Sequence, residues 1–104
     1  MKTQNNRLYI LTRQDLGLPY CSVQGGHALA QYILEHPSES ESWNNQTLIY
    51  LSVKNESDLK RWIRKLEIKS IPHSIFIEPD LDFQITSLAC LNDGILFRDL
   101  KLMK

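Results

Sequence analysis

The segment Gln24-Gly25-Gly26-His27 combines a group that can move protons with two residues that leave the backbone bare. An unperturbed imidazole titrates at about pH 6.5, so His27 is a candidate to activate or orient a water molecule at neutral pH. Each glycine inside a helix costs about 1 kcal/mol relative to alanine, so two in succession need a reason. Either they allow close packing against a neighbouring element, which is the more frequent use of glycine, or they leave room for a ligand beside the helix backbone.

The spacing around His27 also fits a structural role. Residues Val23, His27, Ala30 and Leu34 follow one another at helical intervals and share one stripe. If that stripe faces the core, His27 is a buried histidine, and this is the more frequent outcome for such a pattern. Gln24 then lies on the flank of the stripe, either in the polar rim of a small site or at an ordinary boundary with solvent.

A basic cluster occupies a second predicted helix. Its members are Lys60, Arg61, Arg64 and Lys65, which lie opposite an apolar stripe of Leu59, Trp62, Ile63 and Leu66. A solvated helix face is the default interpretation of such a cluster. The alternative is a patch that makes weak, salt-sensitive contacts with an RNA backbone.

Four apolar runs predict the strands that must position these residues. The run within residues 7–12 is continuous, which indicates a strand covered on both faces, and residues 47–53, 74–77 and 85–91 predict three more. The tail, residues 95–103, is predicted to hold a short helix or an edge strand.

Two helices are predicted between the strands. The first runs from Tyr20 to His36 and ends before Pro37, because proline restricts the residue that precedes it. The second starts at an Asn55 N-cap and runs to about Lys69. The polar segment 38–46 between the first helix and the second strand is predicted to be a solvated loop.

This order of elements predicts an α/β fold. Strand, helix, strand, helix, strand builds βαβ units, so we expect a three-layer α/β/α sandwich around a small mixed, mostly parallel four-stranded sheet. The 104 residues fit a single domain spanning 1–104.

The composition excludes several function classes. Two cysteines do not form a disulfide framework, and no Cys/His spacing predicts a metal site. No apolar stretch approaches the roughly 20 residues of a membrane span, so we expect a protein of the cytoplasm without membrane contact. The net charge is zero, so any contact with nucleic acid must come from a local patch.

Two stretches resemble a known family, the peptidyl-tRNA hydrolases of the archaeal and eukaryotic class. LYILTRQDLGLPYCSVQGGHALAQYILEH is similar to their first strand, loop and helix, through Asp15-Leu16 and the Gln-x-x-His-Ala pattern that begins at Gln24. The later segment from Thr47 to Ala89 follows the family's order of strand, helix and strand, and contains a turn similar to its Asp-rich, Thr-containing loop.

The resemblance implies hydrolysis of the ester between a peptide and the 3′ end of a tRNA, by attack of water and without metal or cofactor. It implies tRNA as the partner and a homodimer as the assembly. The catalytic residues that it implies are His27, Asp80 and Thr86, with Asp82 and Glu78 as rivals for Asp80. The substrate-binding residues that we expect are Asp15, Tyr20 and Gln24, together with the basic cluster of Lys60, Arg61, Arg64 and Lys65 if that cluster contacts RNA.

Tyr20 stands where the family has a lysine. A tyrosine donates one hydrogen bond but carries no charge at neutral pH. The loss of one oxyanion donor costs about a hundredfold in rate. The alternative function is therefore a catalytically inactive family member that binds RNA or protein.

Overall fold

The continuous apolar run at the start of the chain forms the central strand of the sheet. The computed structural model describes residues 7–103, and strand β1 (Arg7–Arg13) is buried at every position after Arg7. This burial follows from its place in the middle of a sheet that is covered on both faces.

Four further strands complete the sheet around β1. They are β2 (Thr47–Val53), β3 (Ser74–Glu78), β4 (Gln84–Asn92) and β5 (Lys101–Leu102). The order across the sheet is β3-β4-β1-β2-β5. The carboxyl ends of β1, β2 and β3 and the start of β4 therefore lie along one edge, because β3 and β4 run antiparallel to each other and β4 runs antiparallel to β1.

Helices cover both faces of this sheet. Helices α1 (Tyr20–Glu35) and α2 (Pro37–Trp43) share one core with Leu8, Ile10 and Ala89 of the strands. Helix α3 (Glu56–Ile68) packs on the other face. The predicted α/β class and its three layers are confirmed.

The predicted mixed sheet is confirmed, but the predicted four strands and mostly parallel pairing were wrong. Among the described residues the sheet has five strands, and only β1 and β2 pair in parallel. The short tail supplies β5 as an edge strand. The β3–β4 connection is too short for a parallel crossover, which requires a dozen or more residues, so β4 returns antiparallel and fills the place beside β1.

The predicted loop at residues 38–46 was also wrong, because most of it is helix α2. Pro37 occupies the first turn, where its fixed φ suits a helix and its missing N–H costs nothing. Trp43 is 4% exposed and its indole Nε1 donates to the Thr47 carbonyl at 2.8 Å. Trp43 is thus the buried side chain that packs a helix whose other residues are Pro37, serines and glutamates.

The predictions for α3 are confirmed. The Asn55 side chain accepts a hydrogen bond from the Asp58 backbone N–H at 2.9 Å and caps the helix. The predicted apolar stripe, Leu59, Trp62, Ile63 and Leu66, is buried. Within residues 7–103, no helix has both the length and the apolarity that crossing a membrane requires.

Candidate functional site

Helix α1 turns a different stripe toward the sheet than the spacing predicted. The buried residues are Cys21, Gln24, Gly25, Ala28 and Tyr32, whereas Val23, His27, Ala30 and Leu34 are exposed. The interpretation of His27 as a core histidine was therefore wrong. Hydrophobic periodicity missed the true stripe because a glycine and a glutamine occupy its middle.

The two glycines have different surroundings. A Cβ added at Gly25 would lie 2.5 Å from Tyr50 Cε2, 2.9 Å from Thr12 Cγ2 and 3.0 Å from Ile10 Cγ2. Gly25 thus allows α1 to approach β1 and β2 closely, as the more frequent use of glycine predicts. A Cβ at Gly26 would meet nothing within 4 Å, so Gly26 leaves open space beside His27.

Strand β3 places two side chains against the functional part of α1. Alternate residues of a strand share a face, and Phe76 and Glu78 both point toward α1. The His27 imidazole stacks on the Phe76 ring with 4.4 Å between centroids and 11° between planes. One step along, Glu78 Oε1 accepts a hydrogen bond from Gln24 Nε2 at 2.8 Å. Phe76 and Glu78 therefore bring the imidazole and a carboxylate to the same side of α1.

The buried amide of Gln24 is held at both ends. Its Oε1 accepts a hydrogen bond from Thr86 Oγ1 at 2.6 Å while its Nε2 donates to Glu78. An ionised carboxylate can only accept hydrogen bonds, so the amide nitrogen must face Glu78. The Ser87 hydroxyl adds a 2.6 Å bond to the Gln24 backbone carbonyl.

A β-bulge makes this arrangement possible. Phe76 pairs with Ser87 and Ile77 pairs with Ile85, so Thr86 is an extra residue in β4. In a regular strand the side chains of residues 86 and 87 would point to opposite faces. The bulge re-aims them, and both hydroxyls reach Gln24. Thr86 is fully buried, so its hydroxyl orients Gln24 and does not meet solvent.

Glu78 is the carboxylate that this network holds. The hydrogen bond from Gln24 lowers the pKa of Glu78, and the Asp80 backbone N–H, 3.1 Å from Glu78 Oε2, and the nearby His27 lower it further. Asp80 and Asp82 are exposed, and Asp80 contributes its backbone N–H to the Glu78 carboxylate. Of Glu78, Asp80 and Asp82, Glu78 is the residue whose carboxylate accepts a hydrogen bond from a side chain of α1.

Tyr20 begins α1 at the same edge of the sheet. Burial and the negative charges of Glu78 and Asp80 raise the pKa of its phenol. The Tyr20 hydroxyl therefore stays protonated at neutral pH and is available as a hydrogen-bond donor.

Arg13, which sequence reasoning missed, joins the loop before α1 to the start of β4. It is 5% exposed at the end of β1, and its guanidinium binds Asp15 through two hydrogen bonds of 3.0 and 2.7 Å. It also donates to Gln84 Oε1 at 2.9 Å and to the Ile85 carbonyl at 3.1 Å. The spacing of Arg13 and Asp15 could have predicted this ion pair. It was missed because the predicted strand ended at residue 12, one residue before Arg13. Asp15, a predicted substrate contact, is engaged in this ion pair.

The basic cluster does not join the site. Helix α3 covers the face of the sheet opposite α1, and its charges are partly matched within the helix. Lys60 lies 3.9 Å from Glu56, Arg61 lies 3.2 Å from Asp58, and Lys65 sits 4.4 Å above the Trp62 ring. The structure thus separates Lys60, Arg61, Arg64 and Lys65 from His27.

The assembled groups can perform acid–base chemistry. An exposed imidazole, an ionised carboxylate and a protonated phenol share one edge of α1. Such a set can activate water and donate a hydrogen bond to a developing oxyanion. Across residues 7–103, no group of three His, Cys, Asp or Glu side chains is placed to hold a metal ion.

Comparisons with known proteins identify a family and a shared fold. A model of the family described as Peptidyl-tRNA hydrolase PTH2 matches residues 6–91. No curated protein matches the sequence closely enough to serve as a relative. Among solved structures, a protein of unknown function from Agrobacterium tumefaciens strain C58 is similar, with a TM-score of 0.71 and 11% identity. The match covers 94% of this chain and 97% of that one, and at this identity it shows a shared fold.

Proposed function

Because the chain belongs to the peptidyl-tRNA hydrolase PTH2 family, we propose that it hydrolyses the ester bond between peptide and tRNA in peptidyl-tRNA. The observation that carries the proposal is the Thr86–Gln24–Glu78 chain of hydrogen bonds, which fixes a carboxylate beside the exposed His27. Preorganised polar groups of this kind are characteristic of sites that stabilise charge developing during a reaction.

In the proposed reaction, water attacks the ester carbonyl while His27 takes its proton. Glu78 orients the water or the imidazole, and the Tyr20 hydroxyl donates to the oxyanion of the tetrahedral intermediate. Collapse of the intermediate releases the peptide acid, and the proton returns to the departing ribose oxygen. Each role is filled by a side chain of this chain, so the proposed water attack is metal-independent.

Two predicted roles change in this proposal. Glu78 takes the place of Asp80 as the functional carboxylate, because Gln24 holds Glu78 while Asp80 is exposed. Thr86 becomes a positioning residue, since its buried hydroxyl acts through Gln24. Contact between the basic face of α3 and RNA phosphates stays a prediction separate from the chemistry.

Release of free tRNA from a purified peptidyl-tRNA tests the proposal. We expect His27→Ala and Glu78→Gln each to lower kcat at least about a hundredfold, the usual contribution of acid–base groups. Asp80→Asn should be close to wild type, and Glu41→Gln, an exposed glutamate on α2, is the matched control. Full rate in His27→Ala would remove His27 from the mechanism, and a loss in Asp80→Asn without one in Glu78→Gln would return the role to Asp80.

One observation favours the second function, binding without hydrolysis. Among the described residues, no lysine or arginine hydrogen-bonds or ion-pairs with Glu78 or Gln24, and Tyr20 takes the place of the family's lysine. The hydrolysis assay with Tyr20→Lys separates the two functions. A gain of about a hundredfold indicates an intact hydrolytic scaffold. Inert protein that still binds tRNA with a steep salt dependence indicates a binding module.

The cytoplasmic location and the homodimer belong to the same proposal. Family membership supports a role in translation, where peptidyl-tRNA is formed. Light scattering on the purified protein tests the homodimer, and cell fractionation tests the location.

A further inference from the structure

Phe83 is a large aromatic side chain that does not pack in the core of the protein. It is 70% exposed, in the loop between β3 and β4, and it belongs to neither hydrophobic core of the described residues. A single exposed apolar side chain is ordinary on a protein surface. The backbone at this position makes Phe83 unusual.

The loop holds Phe83 in a conformation that favours glycine or asparagine. Asp82 and Phe83 both have left-handed backbones, with φ of 52° and 60°. A bulky residue with positive φ is an outlier, and such strain tends to be kept at functional sites. Neither the exposure nor the strain benefits the fold, so an aromatic ring at this place requires another reason.

The loop ties Phe83 to the site. The Phe83 backbone N–H donates to the Glu78 carbonyl at 3.1 Å, and the Glu78 carboxylate caps the short 3-10 turn Pro79–Leu81 between them. On the neighbouring α1 side, Leu18 and Val23 are 57% and 52% exposed and flank Tyr20 in sequence. The candidate site thus has apolar side chains in both of the segments that form it.

We propose that Phe83 is the stacking surface for the nucleobase at the 3′ end of the tRNA. The proposal rests on the proposed hydrolysis of peptidyl-tRNA. The peptide varies from one substrate molecule to the next, whereas the nucleotide that carries the ester is common to all of them. An exposed aromatic ring in the loop that follows the functional carboxylate suits that constant part, because every nucleobase offers a face for stacking.

Minimal substrates test the proposal. One is an N-acetylaminoacyl ester of adenosine, and the other is the same ester on a ribose that lacks the base. Removal of one base stack costs about 5- to 150-fold in affinity. We expect Phe83→Ala to raise KM by a factor in this range on the adenosine ester, with little change in kcat, and to leave the baseless ester unaffected.

Three further variants serve as controls for the Phe83→Ala result. Phe83→Trp should retain the wild-type KM, since it preserves the stacking face. Phe83→Asn should lose stacking while gaining stability, because asparagine tolerates positive φ. Leu34→Ala, which removes a side chain that is 76% exposed at the other end of α1, is the matched control.

The outcomes separate this proposal from the function on which it rests. Equal effects of Phe83→Ala on the two esters, or no effect on either, would overturn the stacking role while hydrolysis stands. Wild-type protein that hydrolyses neither ester nor peptidyl-tRNA would refute the proposed hydrolysis. In that case, fluorescence anisotropy still measures stacking, with one RNA hairpin that carries the 3′-terminal base and one that lacks it. If Phe83→Ala changes the Kd for both hairpins equally, the stacking role of Phe83 is overturned.

Discussion

Replacing each of the two adjacent glycines of α1 by alanine should change stability in opposite directions. Both positions lie inside the same helix, where alanine is favoured over glycine by about 1 kcal/mol. They differ in their surroundings, since a methyl group at Gly25 meets three side chains within 3.0 Å and one at Gly26 meets nothing within 4 Å.

The contacts set the expected magnitude. Overpacking a close-packed region costs about 1–3 kcal/mol, and Ile10 and Thr12 in the central strand are buried and have little freedom to move. We therefore place the cost for Gly25→Ala near the upper end, which leaves a net loss of about 2 kcal/mol after the gain in helix propensity. Gly26→Ala should gain up to about 1 kcal/mol, so the two variants should differ by about 3 kcal/mol.

Urea unfolding followed by circular dichroism measures both free energies of unfolding. The hydrolysis assay adds a functional readout, because Gly26 lies beside His27 in open space. If substrate approaches the helix there, Gly26→Ala raises KM although it stabilises the fold. Equal stability of the two variants would refute the close approach of α1 to β1 and β2, and an unchanged KM in Gly26→Ala would refute substrate contact at that position.

Three further predictions concern groups around the site and the core. Thr86→Val leaves the buried Oε1 of Gln24 without its donor, so it should cost about 1–3 kcal/mol in unfolding free energy and lower kcat, while Thr86→Ser should restore both. Burial raises the pKa of the Cys90 thiol to about 12, so native protein should not react with a thiol reagent at pH 8, and rapid labelling of Cys90 would contradict its burial. The hydrogen bond from Gln24 lowers the pKa of Glu78, so its contribution to stability is present above the ordinary glutamate pKa and is lost as the pH falls through the lowered value. The Glu78 carboxyl, followed by NMR, should therefore titrate below the ordinary glutamate pKa, and Gln24→Ala should raise its pKa; an unmoved pKa would show that the Gln24 hydrogen bond does not control it.

The sequence predicted elements wherever burial and local signals agree. Helix α3 was predicted with its cap and its face because the Asn55 cap and the apolar stripe point to one structure. Strand β1 was predicted because a run covered on both faces is apolar throughout. Helix α2 was missed because its burial rests on Trp43 alone, which produces no periodicity.

The candidate site was only half predictable. His27 and Gln24 were identified through their spacing and the family resemblance. The helical spacing favoured a buried His27 and a Gln24 at the boundary with solvent, whereas His27 is exposed and Gln24 is buried. Gln24 is buried because its polar atoms find partners, and those partners come from distant strands. No local pattern reveals the bulge at Thr86, since it depends on how β4 pairs with β3. The proposal of Glu78 instead of Asp80 rests on the contact between Glu78 and Gln24, which are also distant in sequence.

The guanidinium of Arg13 has an evolutionary consequence. Its partners lie in two segments, Asp15 in the loop before α1 and Gln84 with Ile85 at the start of β4. A buried charge that loses one partner is strongly destabilised. Substitutions at Asp15 and Gln84 should therefore be non-additive, because each changes the environment of the same cation. We therefore expect related sequences to change the two segments together, with a substitution in one accompanied by a compensating substitution in the other.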